Sequence, residues 1–442
     1  MSKILLLGAG RSVFSLALYL KNHALELNLS LRVGDLLMSN AKKVADLVPN
    51  STYFQFDITA DKPLETHDVD LVISMLPAHL HGKVAQSCLE SSTHLITASY
   101  LNPQIESLHL EAKKKGIQFI MECGLDPGID HMSAMTLIDK IKSQGGEISS
   151  FASYTGGLIA PESDDNPWGY KFSWNPRNVV LAGQGVVKFK FNNALKYIPY
   201  SSVFKRTEEV CIPHIGTYEA YANRNSLHYL DAYKLSNCPS VFRGTLRNIG
   251  FCEAWDFLIT LGLTNDSFAI RNCKGMTYRN FLDSFLPYST LTVEEKIDNL
   301  LNTKNKSNVF EKLNWLGLFS ETKITLDNAS PAQILQQILE LKWKLKPEDK
   351  DMVLMVHRIE FETKNKKYST ISYCKLIGEN SKNTAMAKTV GIPVGIATKL
   401  LLQKKIKTKG ILIPTLPELY TPILEELKKY GVVFMTETTE IV

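Results

Sequence analysis

The sequence predicts an α/β protein built on a Rossmann-like, doubly wound parallel sheet, joined to an α+β substrate domain with a mostly antiparallel sheet and an all-α insertion. Three observations predict this. From residue 3 to about 123, short aliphatic or β-branched runs alternate with amphipathic stretches, the pattern of repeated βα units. The turn Gly8-Ala9-Gly10 follows the first of these runs and opens an apolar-faced helix. Asp35 ends the second run, about 20 residues past the turn, where a dinucleotide fold places an acidic residue.

Strands are expected over residues 4–8, 29–35, 53–57, 71–76, 94–99 and 118–122. The clearest helix between them starts at Asn102 as N-cap with Pro103 in the first helical position, and stops at Gly116. A helix over 131–144, a Gly145-Gly146 break and a strand over 148–154 come next. Residues 156–170 are too long for a simple connection and too polar for core, so a functional or disordered loop is expected there. Further strands fall at 187–191, 352–363 and 367–376, the last two joined by the turn Lys364-Asn365-Lys366. Residues 251–347 read as helical, including 332–342, and the chain then returns to the first domain as a helix over 381–403 followed by strand, helix and strand over 410–437. The expected domains are 1–128 with about 381–442, about 129–250 with 348–380, and about 251–347.

The composition excludes several classes. With 44% hydrophobic and 21% charged residues among 442, the chain is neither disordered nor collagen-like. The 50 basic and 45 acidic side chains leave +5, spread along the chain. The densest basic run, Lys404 to Lys409, reads as a solvated helix end, so no nucleic-acid partner is expected. No run of about 18 uninterrupted apolar residues offers a membrane span, and Gly8 interrupts the Ile4-Leu5-Leu6-Leu7 run that would have to form a signal-peptide core, so a cytoplasmic protein without a membrane partner is expected. The seven cysteines contain no C-x-x-C pair and read as reduced, mostly buried thiols, with no metal site expected.

In the first domain, Gly8 permits the tight turn and Gly10 lets backbone N–H groups approach a pyrophosphate, while Val13 stands where a third glycine is usual. A carboxylate at Asp35 can accept both ribose hydroxyls and would repel a 2′-phosphate, which favours NAD over NADP. Ligands in such sheets lie beyond the carboxyl ends of the strands, so the next candidates are Asp57-Ile58, Leu76-Pro77, Ala98-Ser99-Tyr100 and Gly124-Leu125-Asp126-Pro127-Gly128. Asp126 either aims a carboxylate into the nicotinamide crevice or serves as a local turn residue bonded to its own backbone.

Several motifs together resemble the saccharopine dehydrogenase (L-glutamate-forming) or saccharopine reductase family. They are Gly124 through His131, Gly156-Gly157 with Ala160-Pro161-Glu162, Asp165-Asn166-Pro167 through Trp174, Asn223-Arg224, Arg243-Gly244-Thr245-Leu246-Arg247, and Ser381 to Pro393. The resemblance implies an enzyme of lysine metabolism that interconverts saccharopine with 2-aminoadipate 6-semialdehyde and L-glutamate. It implies cofactor contacts at Gly10, Arg11, Ser12, Val13, Asp35, Asp57, Ile58, Leu76, Ala98, Ser99, Leu125, Asp126, Pro127 and Asn175. It implies substrate contacts at Ser99, Tyr100, Asp126, Arg224, Thr245, Leu246 and Arg247. Gly34-Asp35 looks like the NAD-using, lysine-degrading branch. The sequence departs from the family at Thr155, Ile159 and Asn175 to Asn178, which bears on substrate fit.

The chemistry of the residues agrees with that substrate. Saccharopine carries three carboxylates, a primary ammonium and a secondary amine, so its site needs several guanidinium forks and an anion. Arg224, Arg243 and Arg247 supply the forks, each with surface salt bridging as its ordinary alternative, and Asp126 supplies the anion. No histidine stands out as a base: His131 reads as capping or packing a helix start, and His79 and His81 as surface residues of a βα loop. Asp126, water or a substrate ammonium is left to carry protons. Two other readings stand beside this one, a related imine-forming reductase acting on a substrate such as a carboxypolyamine, and a non-catalytic NAD-binding sensor. A homodimer is left open.

Overall fold

The computed structural model describes residues 1–60, 64–301 and 306–441. The chain divides into two units, Met1–Ile148 with Phe361–Val442, and Ser149–Glu360.

The first unit holds the parallel sheet expected from the alternating pattern. Its first six strands are β1 (Ser2–Leu7), β2 (Leu29–Asp35), β3 (Ser51–Gln55), β4 (Leu71–Ser74), β5 (His94–Thr97) and β6 (Gln118–Ile120). A seventh, Gly410–Leu412, comes from the returning chain, and the spatial order is Gly410–Leu412, β6, β5, β4, β1, β2, β3. The order reverses between β1 and β4, which opens a crevice beyond their carboxyl ends. β1, β4 and β5 are almost wholly buried, as parallel strands with helices on both faces are.

The helix expected from Asn102 to Gly116 is present as two short ones, Pro103–Glu106 and His109–Lys114. Asn102 caps the first by accepting the Ile105 N–H at 2.9 Å, and the Ser107 hydroxyl donates to the Gln104 carbonyl at the break. The helix Ala385–Leu402 has the length and hydropathy of a membrane span, but 78% of that window is buried and it is a core helix of this unit. It packs on the helix Val13–Asn22 through two glycines. A Cβ on Gly391 would lie 2.7 Å from the Ser12 carbonyl oxygen, and one on Gly395 would lie 2.5 Å from the Tyr19 ring. This unit also holds the strands Lys366–Ile377 and Met435–Ile441, which pair antiparallel.

In the second unit the strand Ser240–Arg247 pairs parallel with Glu147–Ile159 and antiparallel with Gly216–Ala222, a parallel pair within the mostly antiparallel sheet expected. Two expectations are corrected here. Gly156-Gly157 do not open a loop; the strand Glu147–Ile159 runs through them. A Cβ on Gly156 would come within 2.8 Å of the Leu246 Cβ, so this glycine serves close strand approach rather than a turn. The stretch judged too polar for core buries Trp168, Tyr170 and Phe172 against Phe251, Trp255 and Trp343. Its Asp165 is exposed and lies 2.8 Å from Nζ of the buried Lys171, which also lies 2.7 Å from the buried Asp349. The helices Phe251–Leu261, Tyr278–Asp283, Val293–Leu300, Lys306–Leu316 and Pro331–Lys342 share that aromatic core. Residues 302–305 of the stretch expected to be helical lie outside the described residues. All seven cysteines are free thiols, and all but Cys211 are buried.

The glycine contact gives a test. Gly391→Ala gains about 1 kcal/mol of helix propensity but forces backbone atoms apart, an overpacking that costs about 1–3 kcal/mol. Urea unfolding should show a lower midpoint for the variant, and an unchanged or higher midpoint would contradict this packing.

Candidate active site

The glycine turn is shaped for a ligand. Gly8 sits at φ +89°, its N–H donates to the Gly34 carbonyl at 2.8 Å, and a Cβ there would meet the Met75 carbonyl oxygen at 2.7 Å, so no larger residue fits. Gly10 is exposed and a Cβ on it would meet nothing within 4 Å, which leaves open space beside the turn. The helix Val13–Asn22 follows with no acidic residue in its first turn and with Ser12 making no side-chain cap, so its N-terminal amides are not answered by a nearby anion of the helix itself. Arg11 is exposed on the same turn.

Asp35 ends β2 as expected, but its carboxylate is engaged within the fold. Oδ2 accepts the Ala9 N–H at 2.7 Å and Oδ1 accepts the Leu37 N–H at 2.8 Å, so the side chain ties the glycine turn to the loop after β2. Asp57 is exposed, and the Thr59 hydroxyl and N–H hold its carboxyl below the usual range. Ile58 and Leu76 pack on the apolar cluster beneath the sheet.

Beyond β4 and β5 lies a polar network that the sequence did not reveal. His81 is wholly buried, with Nδ1 2.8 Å from the Ser74 hydroxyl and Nε2 2.7 Å from the Ser99 hydroxyl and 3.3 Å from Thr97 Oγ1. The expectation of a surface residue is therefore corrected: His81 turns inward where its helix begins and joins the ends of two strands. Burial, with a smaller effect of His79, pushes its pKa down to about 4, so it is neutral at pH 7. No spacing rule marks such a residue; the signal available was a histidine between a strand ending in Ser74 and one followed by Ser99.

The next two site residues meet directly. The Tyr100 hydroxyl donates to Asp126 Oδ1 at 2.9 Å, with Tyr100 45% exposed and so open to a ligand. The loop carrying Asp126 is held by its own backbone, since Gly124 N–H donates to the Pro127 carbonyl and Ile129 N–H to the Gly124 carbonyl, both at 2.9 Å. Gly128 adopts φ +145°, and a Cβ on it would strike Gly124 at 2.1 Å. Leu125 and Pro127 are buried in that loop, and Ala98 packs against Gly124.

The remaining candidates belong to the second unit. Asn175 caps the helix Pro176–Val180 by accepting the Arg177 N–H at 2.9 Å. Arg224 is exposed, and its Nη2 donates to the Leu181 carbonyl at 3.2 Å. Thr245 donates its hydroxyl to Asn223 Oδ1 at 2.6 Å, and Leu246 is buried. Arg247 is 2% exposed, its guanidinium lying 5.0 Å from the Tyr170 ring centre, 5.6 Å from Tyr221 and 5.2 Å from Phe251. Arg243 is also buried, 3.9 Å from the Tyr229 ring centre. Among the described residues no cluster of three His, Cys, Asp or Glu side chains could hold a metal.

A reversed parallel sheet with an open glycine turn, and hydroxyl and carboxylate groups gathered at its carboxyl edge, defines a dinucleotide-dependent oxidoreductase. Residues 4–120 match the model of the saccharopine dehydrogenase NADP binding domain, and residues 124–432 that of the saccharopine dehydrogenase C-terminal domain. The chain belongs to the saccharopine dehydrogenase family. It is 33% identical, over 98% of its length and 99% of the relative's, to "Saccharopine dehydrogenase [NADP(+), L-glutamate-forming]" of Saccharomyces cerevisiae. It is 34% identical to the mitochondrial alpha-aminoadipic semialdehyde synthase of Rattus norvegicus, of which it spans 48%. The apo structure of the L-Glu-forming saccharopine dehydrogenase from S. cerevisiae superposes with a TM-score of 0.89 at 32% identity, covering 99% of this chain and 100% of that one.

These findings overturn the expectation of NAD. The matching domain is described as NADP binding, and the relatives of S. cerevisiae, Pyricularia oryzae and Schizosaccharomyces pombe are named as NADP(+) enzymes. In the structure both Asp35 oxygens accept backbone N–H groups, so the fold itself accounts for an acidic residue at the end of β2, and that residue does not by itself decide between NAD and NADP.

His81 supplies a test by linkage. Its folded pKa lies below the ordinary value of 6.5, so its contribution to stability is complete above that value and is lost as pH falls toward 4. Between pH 7 and pH 4 the wild type should lose up to about 3 kcal/mol more stability in urea unfolding than His81→Gln. Parallel profiles would contradict a buried neutral imidazole.

Proposed function

We propose that this chain is an NADP-linked saccharopine dehydrogenase of the L-glutamate-forming type. In the oxidative direction saccharopine, NADP⁺ and water give L-glutamate, 2-aminoadipate 6-semialdehyde, NADPH and a proton. The single observation carrying this reading is the end-to-end likeness to an enzyme named for that reaction, at 33% identity over 98% of the chain.

The geometry supports it. The space beside Gly10 and the open helix N-terminus suit a pyrophosphate, and Arg11 is an exposed cation on the same turn. Held at the Gly8–Gly10 turn, NADP⁺ would supply the hydride acceptor for the carbon next to the secondary nitrogen of saccharopine. The resulting carbon–nitrogen double bond is attacked by water, and the carbon–nitrogen bond then breaks to release glutamate. Asp126, oriented by the Tyr100 hydroxyl, is the anion for a substrate amine and the acceptor for its proton. Arg224 and Arg247 are proposed for substrate carboxylates, with Thr245 and Leu246 beside them in sequence. The degradative direction was argued from NAD and loses that support.

The test is an absorbance assay of nicotinamide reduction with saccharopine at mildly alkaline pH, with glutamate measured in the product. Glutamate should form, with kcat/KM about tenfold or more higher for NADP⁺ than for NAD⁺, a gap of about 1.4 kcal/mol. Asp126→Asn should lower kcat/KM on the order of 10²-fold while NADPH binding by fluorescence is kept. Absence of glutamate, preference for NAD⁺, or wild-type turnover by Asp126→Asn would each contradict the proposal.

A further inference from the structure

One wholly buried carboxylate stands behind the Tyr100–Asp126 pair. Glu122 follows β6 and is 0% exposed. Its backbone N–H donates to the Ser99 carbonyl at 3.0 Å, and its Oε1 accepts the Leu101 N–H at 2.8 Å. The two residues flanking Tyr100 are therefore both held by the same glutamate. Its Oε2 lies 2.6 Å from Nε2 of His131, which is 0% exposed in the first turn of the helix Ile129–Ser143. That turn closes the loop carrying Asp126: Asp130 Oδ1 accepts the Gly128 N–H at 2.6 Å, and the Asp130 N–H donates to the Leu125 carbonyl at 3.0 Å. One side chain thus ties together the segment that presents the phenol and the loop that presents the carboxylate.

Stability alone gives a poor account of this arrangement. Glu122 takes φ +57°, a left-handed conformation that costs about 1–2 kcal/mol for a residue with a Cβ. Buried ion pairs are often replaceable by apolar residues without loss, because desolvation offsets their attraction. What the strained, buried glutamate supplies is geometry: from the left-handed position its carboxylate reaches back to residue 101 while its own N–H still pairs with residue 99. We propose that Glu122, held by His131, is a positioning residue that fixes the Tyr100 hydroxyl against Asp126. Misplacement of reacting groups by about 1 Å can cost on the order of 10²-fold in rate.

The inference rests on the functional reading above, and the experiment separates the two. Glu122→Gln keeps the shape and an acceptor for Leu101 but weakens the tie to His131. With saccharopine and NADP⁺ as probes, kcat should fall about tenfold or more while KM and NADPH affinity change by less than about threefold, the signature of lost orientation rather than lost binding. In a Tyr100→Phe background the same substitution should have little further effect, because its influence passes through the phenol. Multiplying effects in the double variant, or a wild-type kcat in Glu122→Gln, would overturn the proposal. If Glu122→Gln does not fold, His131→Gln takes its place in the same cycle and decides it by the same outcomes. If the wild type does not turn over saccharopine, the functional reading fails. The positioning role is then judged from crystals of the variant: a Tyr100–Asp126 distance lengthened beyond hydrogen-bond range upholds it, and one kept near 2.9 Å overturns it.

Discussion

The end of a strand is where a parallel sheet stops pairing its own backbone, and buried N–H and carbonyl groups left there need other partners. At the carboxyl edge of the first unit two side chains accept such N–H groups and a third joins the strand-end hydroxyls. Asp35 accepts Ala9 and Leu37 after β2, His81 links Ser74 and Ser99 after β4 and β5, and Glu122 accepts Leu101 after β6. Each takes up strand-end groups from the protein side, leaving Gly10 exposed and Tyr100 half exposed on the ligand side. A site built this way is ordered before its ligands arrive, and the ordering cost falls on folding rather than on binding.

The second unit treats charge differently. Arg247 lies among three aromatic rings, 5.0 to 5.6 Å from their centres, and donates to the Leu246 carbonyl at 2.9 Å, and Arg243 lies 3.9 Å from the Tyr229 ring centre. A cation over a desolvated ring gains about 2 kcal/mol or more, against a burial cost of several kcal/mol per ion. Nearby, Glu219 accepts the Cys252 N–H at 2.6 Å and burial raises its carboxyl above the usual range, which lowers the cost of placing an acid in the same core. Several aromatic faces around one guanidinium are thus what makes its burial tolerable, and Tyr170, in the stretch first read as a polar loop, is one of them.

Much of this was legible in the sequence because it depends on short-range rules. The six strands, the Asn102 cap, the tight turn at Gly8 and the long helix near the C-terminus follow from periodicity and local backbone chemistry. The features that were not legible depend on partners distant in sequence. Gly156 looks like a turn residue until Leu246 is placed beside it, and Asp35 looks like a ribose ligand until Ala9 is seen to occupy its carboxylate. His81 and Glu122 carry no motif at all; their roles exist only because β4, β5 and β6 end side by side. The motif around Asp126 was readable as chemistry, whereas the clamp that orients it was not.

The most direct test is amide hydrogen exchange on the free full-length protein, read by mass spectrometry over peptides spanning residues 97–102 and 8–11. If the carboxyl edge is ordered by Asp35, His81 and Glu122, the amides of Ala9 and Leu101 are protected before any nucleotide is added, and saturating NADPH changes their exchange little. Fast exchange in the free protein that slows only with NADPH would contradict the account, because the ligand and not these three side chains would then be organising the site.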